Sequence, residues 1–326
     1  MSEDKKVSVR GLKISENNLF SIFSKYGIYF ALVILIITLS LLSNTFFTTA
    51  NALNVLRQIS INCVIALGMT FVIITGGIDL SVSSTIALCG IAAASFAHPG
   101  EYPLIIPILV AVIIGSTIGC LNGFIISKSG IAPFIVTLGM TSIVRGSAML
   151  YTNGRPVINL SDQFKYIGQG LFGGVPIPIF ILLFLVVCTA VILHKSKYGR
   201  YVFAVGGNEM AAKASGINVS GVKMGVYIIT GTCAGIAGLI LSSRTNSATP
   251  NAALGYELDA IAACVIGGSS LSGGRGIIIG TVVGALIIGV VNNGLDLLNV
   301  SSYLQQVIKG VIIITSVLID KMSSSR

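Results

Sequence analysis

"LIIPILVAVIIGSTIGCLNGFII", Leu104 to Ile126, runs for 23 residues without a charged side chain. The hydrocarbon core of a bilayer takes about 20 residues of helix, so this run is long and apolar enough to span it. The same ruler finds similar runs on either side. They lie at Tyr26–Leu42, Ile59–Ile74, Ser81–Phe96, Ile131–Leu150, Pro176–Leu193, Met224–Leu241, Ile277–Val291 and Leu304–Ile319, with a shorter one at Asp259–Ile266 extended on its N-terminal side. The sequence therefore predicts an all-α integral membrane protein of about ten transmembrane helices. The eighth run sits in "ELDAIAACVIGGSSLSGGRG", whose glycines fit a tilted, re-entrant or interrupted helix, the last being tolerated where backbone lines a water-filled path.

Composition agrees. Of the 326 residues 54% are hydrophobic and 10% charged, where a soluble domain carries about 25% charged. One integral membrane domain over residues 26–320 is expected, between a polar N-terminal tail, 1–25, and a short C-terminal tail, 321–326. The first run has no small-residue cleavage site after it and is expected to stay as a helix. The net charge of +9 does not point to nucleic acid, because the basic residues fall between apolar runs. Six cysteines sit inside those runs without CxxC spacing, which argues against zinc and disulfides. His98 and His194 fall in separate predicted loops, so no metal site is expected.

Lys and Arg accumulate on the cytoplasmic side of short loops. With ten spans and an inside N-terminus, fourteen of the twenty basic residues are cytoplasmic, and both termini are too. The exceptions are Arg57, Arg145, Arg155, Lys165, Arg244 and Lys309. Arg145 and Lys309 lie toward outer ends of spans, where they can snorkel outward or line a path. The largest cytoplasmic loop, 194–223, holds "GGNEMAAKASG". Asn208 is placed to cap a short helix, Glu209 falls in its favourable first turn, and Gly216 is placed to end it. About two turns of helix are not stable alone; the segment needs a protein partner or the headgroups of membrane lipid to rest on.

Two glycine motifs are candidate gates or helix breaks: Gly76, Gly77, Asp79 and Ser81 in "TGGIDLSVSS", and Gly267 and Gly268 in "IGGSSLSGGRG". Asp79 is expected to cap the third span through the Ser81 and Val82 amides, or else to serve as a gate contact or hydroxyl acceptor. Asn292, Asn293, Gln305, Gln306 and Lys309 are candidates to line a path for a polyhydroxylated solute. No GxxxxGK[ST] nucleotide loop occurs, and no chain of mid-membrane acids of the kind that carries protons. No nucleophile, base and orienting group come together, so no enzyme is expected.

With these residues in view the sequence resembles the permeases of bacterial ABC sugar importers of the ribose type. The likeness rests on "ALGMTFVIITGGIDLSVSS" at Ala66, "PFIVTLGMTSIVRG" at Pro133, "YTNGRPV" at Tyr151, "GRYVFAVGGNEMAAKASGINV" at Gly199, "GYELDAIAACVIGGSSLSGG" at Gly255 and "VSSYLQQVIKG" at Val300. It implies a type II importer-like permease fold in the bacterial inner membrane. It also implies a second copy of the chain, cytoplasmic ABC ATPase subunits that use ATP and magnesium, and a periplasmic or lipid-anchored sugar-binding protein. The chain itself would bind no cofactor. Gly207, Asn208, Glu209, Ala211, Ala212, Ser215 and Gly216 then correspond to a coupling helix docked on the ATPase. Ribose is the first sugar implied, with a related aldose such as allose, or another pentose or hexose, as the alternative. A stand-alone sugar channel, or an ion-coupled transporter using Asp79 or Asp259, are the competing classes.

Overall fold

The computed structural model describes residues 16–324, with 16–26, 319, 320 and 322–324 described by backbone alone. Residues 1–15, most of the expected N-terminal tail, and the last two residues of the C-terminal tail lie outside the described residues. The chain is helical almost throughout: α1 Glu16–Leu42, α2 Thr49–Ile74, α3 Val82–Ser95, α4 Ile105–Ser129, α5 Pro133–Thr152, α6 Asp162–Gln169, α7 Ile177–Lys195, α8 Lys197–Gly207, α9 Glu209–Ala214, α10 Val219–Thr245, α11 Tyr256–Ile266, α12 Ile278–Leu297 and α13 Ser302–Ser324. A two-residue hairpin, β1 Leu171–Phe172 and β2 Val175–Pro176, precedes α7. Each of the ten apolar runs falls on a helix. Among the described residues six helices are long and apolar enough to cross a membrane: α2, α4, α5, α7, α10 and α12.

Two of the remaining four runs lie on helices too short to span, for physical reasons. α3 has 14 residues and α11 has 11, about 21 and 16 Å at 1.5 Å per residue. Each is bounded by a glycine motif, before α3 and after α11, and both are buried among other helices, where irregular backbone can be satisfied by protein rather than lipid. Other boundaries also shift. α1 begins at Glu16, inside the expected tail; α2 begins ten residues before Ile59; α10 begins at Val219 and runs to Thr245. His194 lies in the last turn of α7, not in a loop. The segment between α5 and α7 contains α6, capped by Ser161 accepting from Phe164 N.

α2 and α10 form the centre. From Ile59 to Ile74 α2 is entirely buried, against α10, α11, α12 and α7. α4 meets α10 backbone to backbone through glycines: a Cβ on Gly115 would stand 2.2 Å from Gly231 O, and one on Gly119 2.2 Å from Tyr227 O. Small residues four apart allow this approach where lipid supplies no hydrophobic drive between helices. By contrast α7 exposes Leu183, Phe184, Val187 and Val191, as a lipid-facing helix should.

Loops gather at two ends. At one, Ser161 N donates to Ala97 O at 2.7 Å, and Val157 N to Ala248 O at 2.8 Å. At the other, Gly274 N donates to Ile74 O at 2.8 Å and Ser220 Oγ to Ser127 O at 3.2 Å. The second set holds the loops that the sequence assigns to the cytoplasm.

Candidate functional site

The polar loop 194–223 carries two helices, not one. Asn208 joins them without a linker: its amide donates to Ala204 O at 3.1 Å, closing α8, while its Oδ1 accepts from Ala211 N at 2.9 Å, opening α9. α9 ends as its sequence suggests. Gly216 is left-handed at φ +81°, and Ile217 N reaches back to Ala212 O at 3.1 Å, the pattern of a glycine-closed helix. Glu209 pairs with Lys223 of α10 at 2.7 Å. Tyr198, at the start of α8, donates to Val222 O at 2.9 Å, and burial pushes its phenol upward.

α9 is therefore held against the body with one face outward. Gly207, Asn208, Glu209, Ala211, Ser215 and Gly216 are exposed, while Ala212 is only 4% exposed and packs inward. Ala212, grouped with the others on sequence, holds the helix down and presents nothing. Met210, which was not singled out, is 82% exposed, a large apolar side chain at the middle of a polar face. Its signal was available: a lone Met among Ala, Asn, Glu and Lys.

The glycine motifs both follow helix ends. Gly76 (φ +74°) turns the chain after α2, and Gly268 (φ +89°) after α11, while Gly77 and Gly267 pack closely on Tyr227 Oη and Gly280. Asp79 is 1% exposed and accepts from Ser81 twice, from N at 2.9 Å and from Oγ at 2.6 Å. The sequence anticipates the Ser81 and Val82 amides; the Ser81 hydroxyl takes the second place because Asn122 of α4, donating to Ser81 Oγ at 2.8 Å, turns that hydroxyl toward the carboxylate. Burial lifts the Asp79 carboxyl to about 6, against the opposing hydrogen bonds from Ser81 and Asn122.

The path candidates separate into two groups. Lys309 does not snorkel outward: its Nζ lies 2.9 Å from Oδ2 of Asp259, which is 2% exposed. Asn292 Nδ2 donates to the same oxygen at 3.3 Å. Gln305, Gln306 and Lys309 line one pocket of about 470 Å³ with Ser302, Leu258 and Gly255. Gln305 is anchored there by Asp296 Oδ1 at 2.9 Å and Val300 O at 3.0 Å. Asn293 stands apart, exchanging amide hydrogen bonds with Asn51 at 2.7 and 3.0 Å. Arg145 does not snorkel either. It donates from Nη1 to Pro250 O and Ala252 O, holding the irregular segment before α11. Chemically the pocket offers amide donors and acceptors, a hydroxyl and an ion-paired ammonium beside a leucine wall, a mixture suited to hydroxyl groups on a small apolar frame.

The chain is 47% identical over 306 residues to Ribose import permease protein RbsC of Bacillus subtilis (strain 168), covering 93% of this chain and 95% of that one. It is 47% identical over 294 residues to the protein of the same name in Escherichia coli (strain K12), covering 89% and 91%. It is 36% identical over 307 residues to D-allose transport system permease protein AlsC of Escherichia coli (strain K12), covering 94% of each. No solved structure matches the chain significantly. Residues 51–317 match the family described as "Branched-chain amino acid transport system / permease component", and the chain belongs to that family of multi-pass membrane permeases.

Proposed function

We propose that this chain is the membrane-spanning subunit of an ATP-binding cassette importer in the bacterial inner membrane. Its cargo is a monosaccharide, D-ribose first and D-allose second, and it moves by ATP-driven alternating access. The observation that carries this reading is near full-length identity of 47% to ribose import permeases. The exposed face of α9 supports it: a short capped helix, tied down by Ala212 and by the Glu209–Lys223 pair, presents Met210 outward at the end that gathers the loops the sequence assigns to the cytoplasm.

In this reading α9 and its flanks, Gly207 to Gly216, dock on a cytoplasmic ATPase that uses ATP and magnesium. Both termini face the cytoplasm. Residues 26–320 form one transmembrane domain with 194–223 as its coupling segment, and a second copy completes the path. A periplasmic or lipid-anchored binding protein delivers the sugar at the opposite end. Gly76, Gly77, Asp79, Ser81, Gly267 and Gly268 form the breaks that switch access. Gln305, Gln306 and Lys309 meet the solute in their shared pocket, with Asn292 behind Lys309; Asn293 is tied to Asn51 and serves packing. The chain performs no covalent chemistry, and the switch is a rigid-body movement of the kind that closes and opens paired domains.

The test is expression with the genomic neighbours and purification in mild detergent, with Met210→Asp beside the wild type. Recovery of a nucleotide-binding subunit with the wild type, and its loss from Met210→Asp, is the expected result. Wild-type sugar uptake into vesicles by the chain alone, without ATP, would make it a facilitator and end the importer reading.

A further inference from the structure

Three glycine-bearing turns meet at one carbonyl. α2 ends at the fully buried Ile74, whose oxygen accepts from Gly274 N at 2.8 Å. Gly206, in the last turn of α8, presses on the same oxygen: a Cβ there would stand 1.7 Å from Ile74 O and 2.8 Å from Gly274 N. Gly273 answers from the other side, where a Cβ would stand 2.7 Å from Gly206 O. A Cβ on Gly276 would meet Ile74 Cγ1 at 2.6 Å. Backbone packs on backbone, and at Gly206 no side chain of any size fits.

We infer that Gly206 is the joint through which displacement of α9 reaches both helix breaks at once, the turn after α2 and the turn between α11 and α12. The inference rests on the reading of α9 as the ATPase-docking helix. α8 is a rod of 11 residues, and only Asn208 separates its end from α9. Because the Asn208 amide still bonds Ala204 O, α9 moves with the last turn of α8, which contains Gly206. At the contact there is no flexible side chain to absorb the motion, and close-packed interiors transmit displacement rather than damp it. Ile74 closes one break and Gly273–Gly274 belongs to the other, so a single push moves the two together. Gly206 is thus a positioning residue for the transport step and touches no solute.

The experiment uses the whole importer reconstituted in vesicles, with Lys213→Cys on the exposed face of α9 as a cross-linking reporter of ATPase docking. Gly206→Ala, Gly276→Ala and Gly139→Ala are compared for cross-linking, basal ATP hydrolysis and sugar taken up per ATP hydrolysed. Gly206→Ala should cross-link normally, hydrolyse ATP within about twofold of wild type, and lose about tenfold in uptake per ATP, in line with ordinary coupling energies. Gly276→Ala should lose less, because the Ile74 side chain can turn aside. Gly139→Ala, whose Cβ meets nothing within 4 Å, should match wild type.

A docked Gly206→Ala importer with the wild-type ratio of uptake to hydrolysis overturns the inference. Should Gly206→Ala fail to assemble, Gly276→Ala decides: a wild-type ratio overturns the inference and a reduced one upholds it. Absence of the Lys213→Cys cross-link in the otherwise wild-type importer overturns the docking reading itself, and the inference with it. That result is distinguishable from the first because it needs no glycine variant.

Discussion

Lys309 of α13 and Asp259 of α11 form an ion pair at 2.9 Å, and the carboxylate is 2% exposed. A charge placed this deep in an apolar chain is costly unless it is paired. Asn292 adds a donor to the same oxygen, so three helices are tied at one atom. α13 otherwise exposes Tyr303, Leu304, Val307, Val311 and Ile314, and this pair is a buried polar hold on the bundle beside the Gln305–Asp296 hydrogen bond.

Removing one partner should therefore cost more than removing both. Lys309→Met leaves Asp259 buried without its cation, and the expected loss is about 3 kcal/mol. The double variant Asp259→Asn with Lys309→Met should recover more than half of it. Thermal unfolding in detergent measures both, and equal losses in the single and double variants would show that the stranded Asp259 carboxylate is not what destabilises Lys309→Met.

Asn51 and Asn293 make a second cross-helix tie, with each amide donating to the other. Asn293→Leu should leave the Asn51 amide short of its partner, at a cost of roughly 1–3 kcal/mol. Uptake per folded molecule should be unchanged, since this pair stands apart from the Gln305–Lys309 pocket. Uptake assays normalised to folded protein check it; a selective loss of uptake would return Asn293 to the path.

Asp79 gives a pH dependence whose sign is fixed. Its folded pKa of about 6 stands above the ordinary 3.8, so between those values the folded state binds more protons than the unfolded chain. Stability is thus fully present below about pH 4 and is lost as pH rises through about 6, by roughly 2–3 kcal/mol in all. Asp79→Asn should flatten that slope while keeping an acceptor for Ser81. Melting temperatures at pH 4, 5, 6 and 7 make the comparison, and parallel curves for the two proteins would refute the assignment.

The sequence makes the α class and the α9 caps legible because each rests on local rules: about 20 apolar residues for a span, Asn before a short helix, Gly after it. What it conceals depends on contacts between distant segments. Nothing near Lys309 in sequence announces Asp259, fifty residues away, and nothing near Arg145 announces the carbonyls of Pro250 and Ala252. From their positions in a run both basic residues therefore read as snorkelling outward or lining a path. "GGIDLS" at Gly76 and "GGSSLS" at Gly267 share the letters Gly-Gly-x-x-Leu-Ser, while the meeting of their neighbourhoods at Ile74 O requires the fold. Ala212 and Met210 are neighbours but one along α9, and only packing tells which side of so short a helix faces in.

The α4–α10 seam offers the sharpest test of the bundle. A Cβ on Gly119 would stand 2.2 Å from Tyr227 O and 2.8 Å from Tyr227 C, all backbone, so Gly119→Ala must push the two helices apart. The expected cost is about 1–3 kcal/mol, the usual range for overpacking. Gly146 of α5 lies in a helix too, but a Cβ there meets nothing within 4 Å. Gly146→Ala should be neutral or stabilising by up to about 1 kcal/mol, since alanine is the better helix former. The two substitutions are chemically identical, so helix propensity cannot explain opposite signs. Thermal melts that move the same way in both variants would mean that α4 and α10 are not in backbone contact at Gly119.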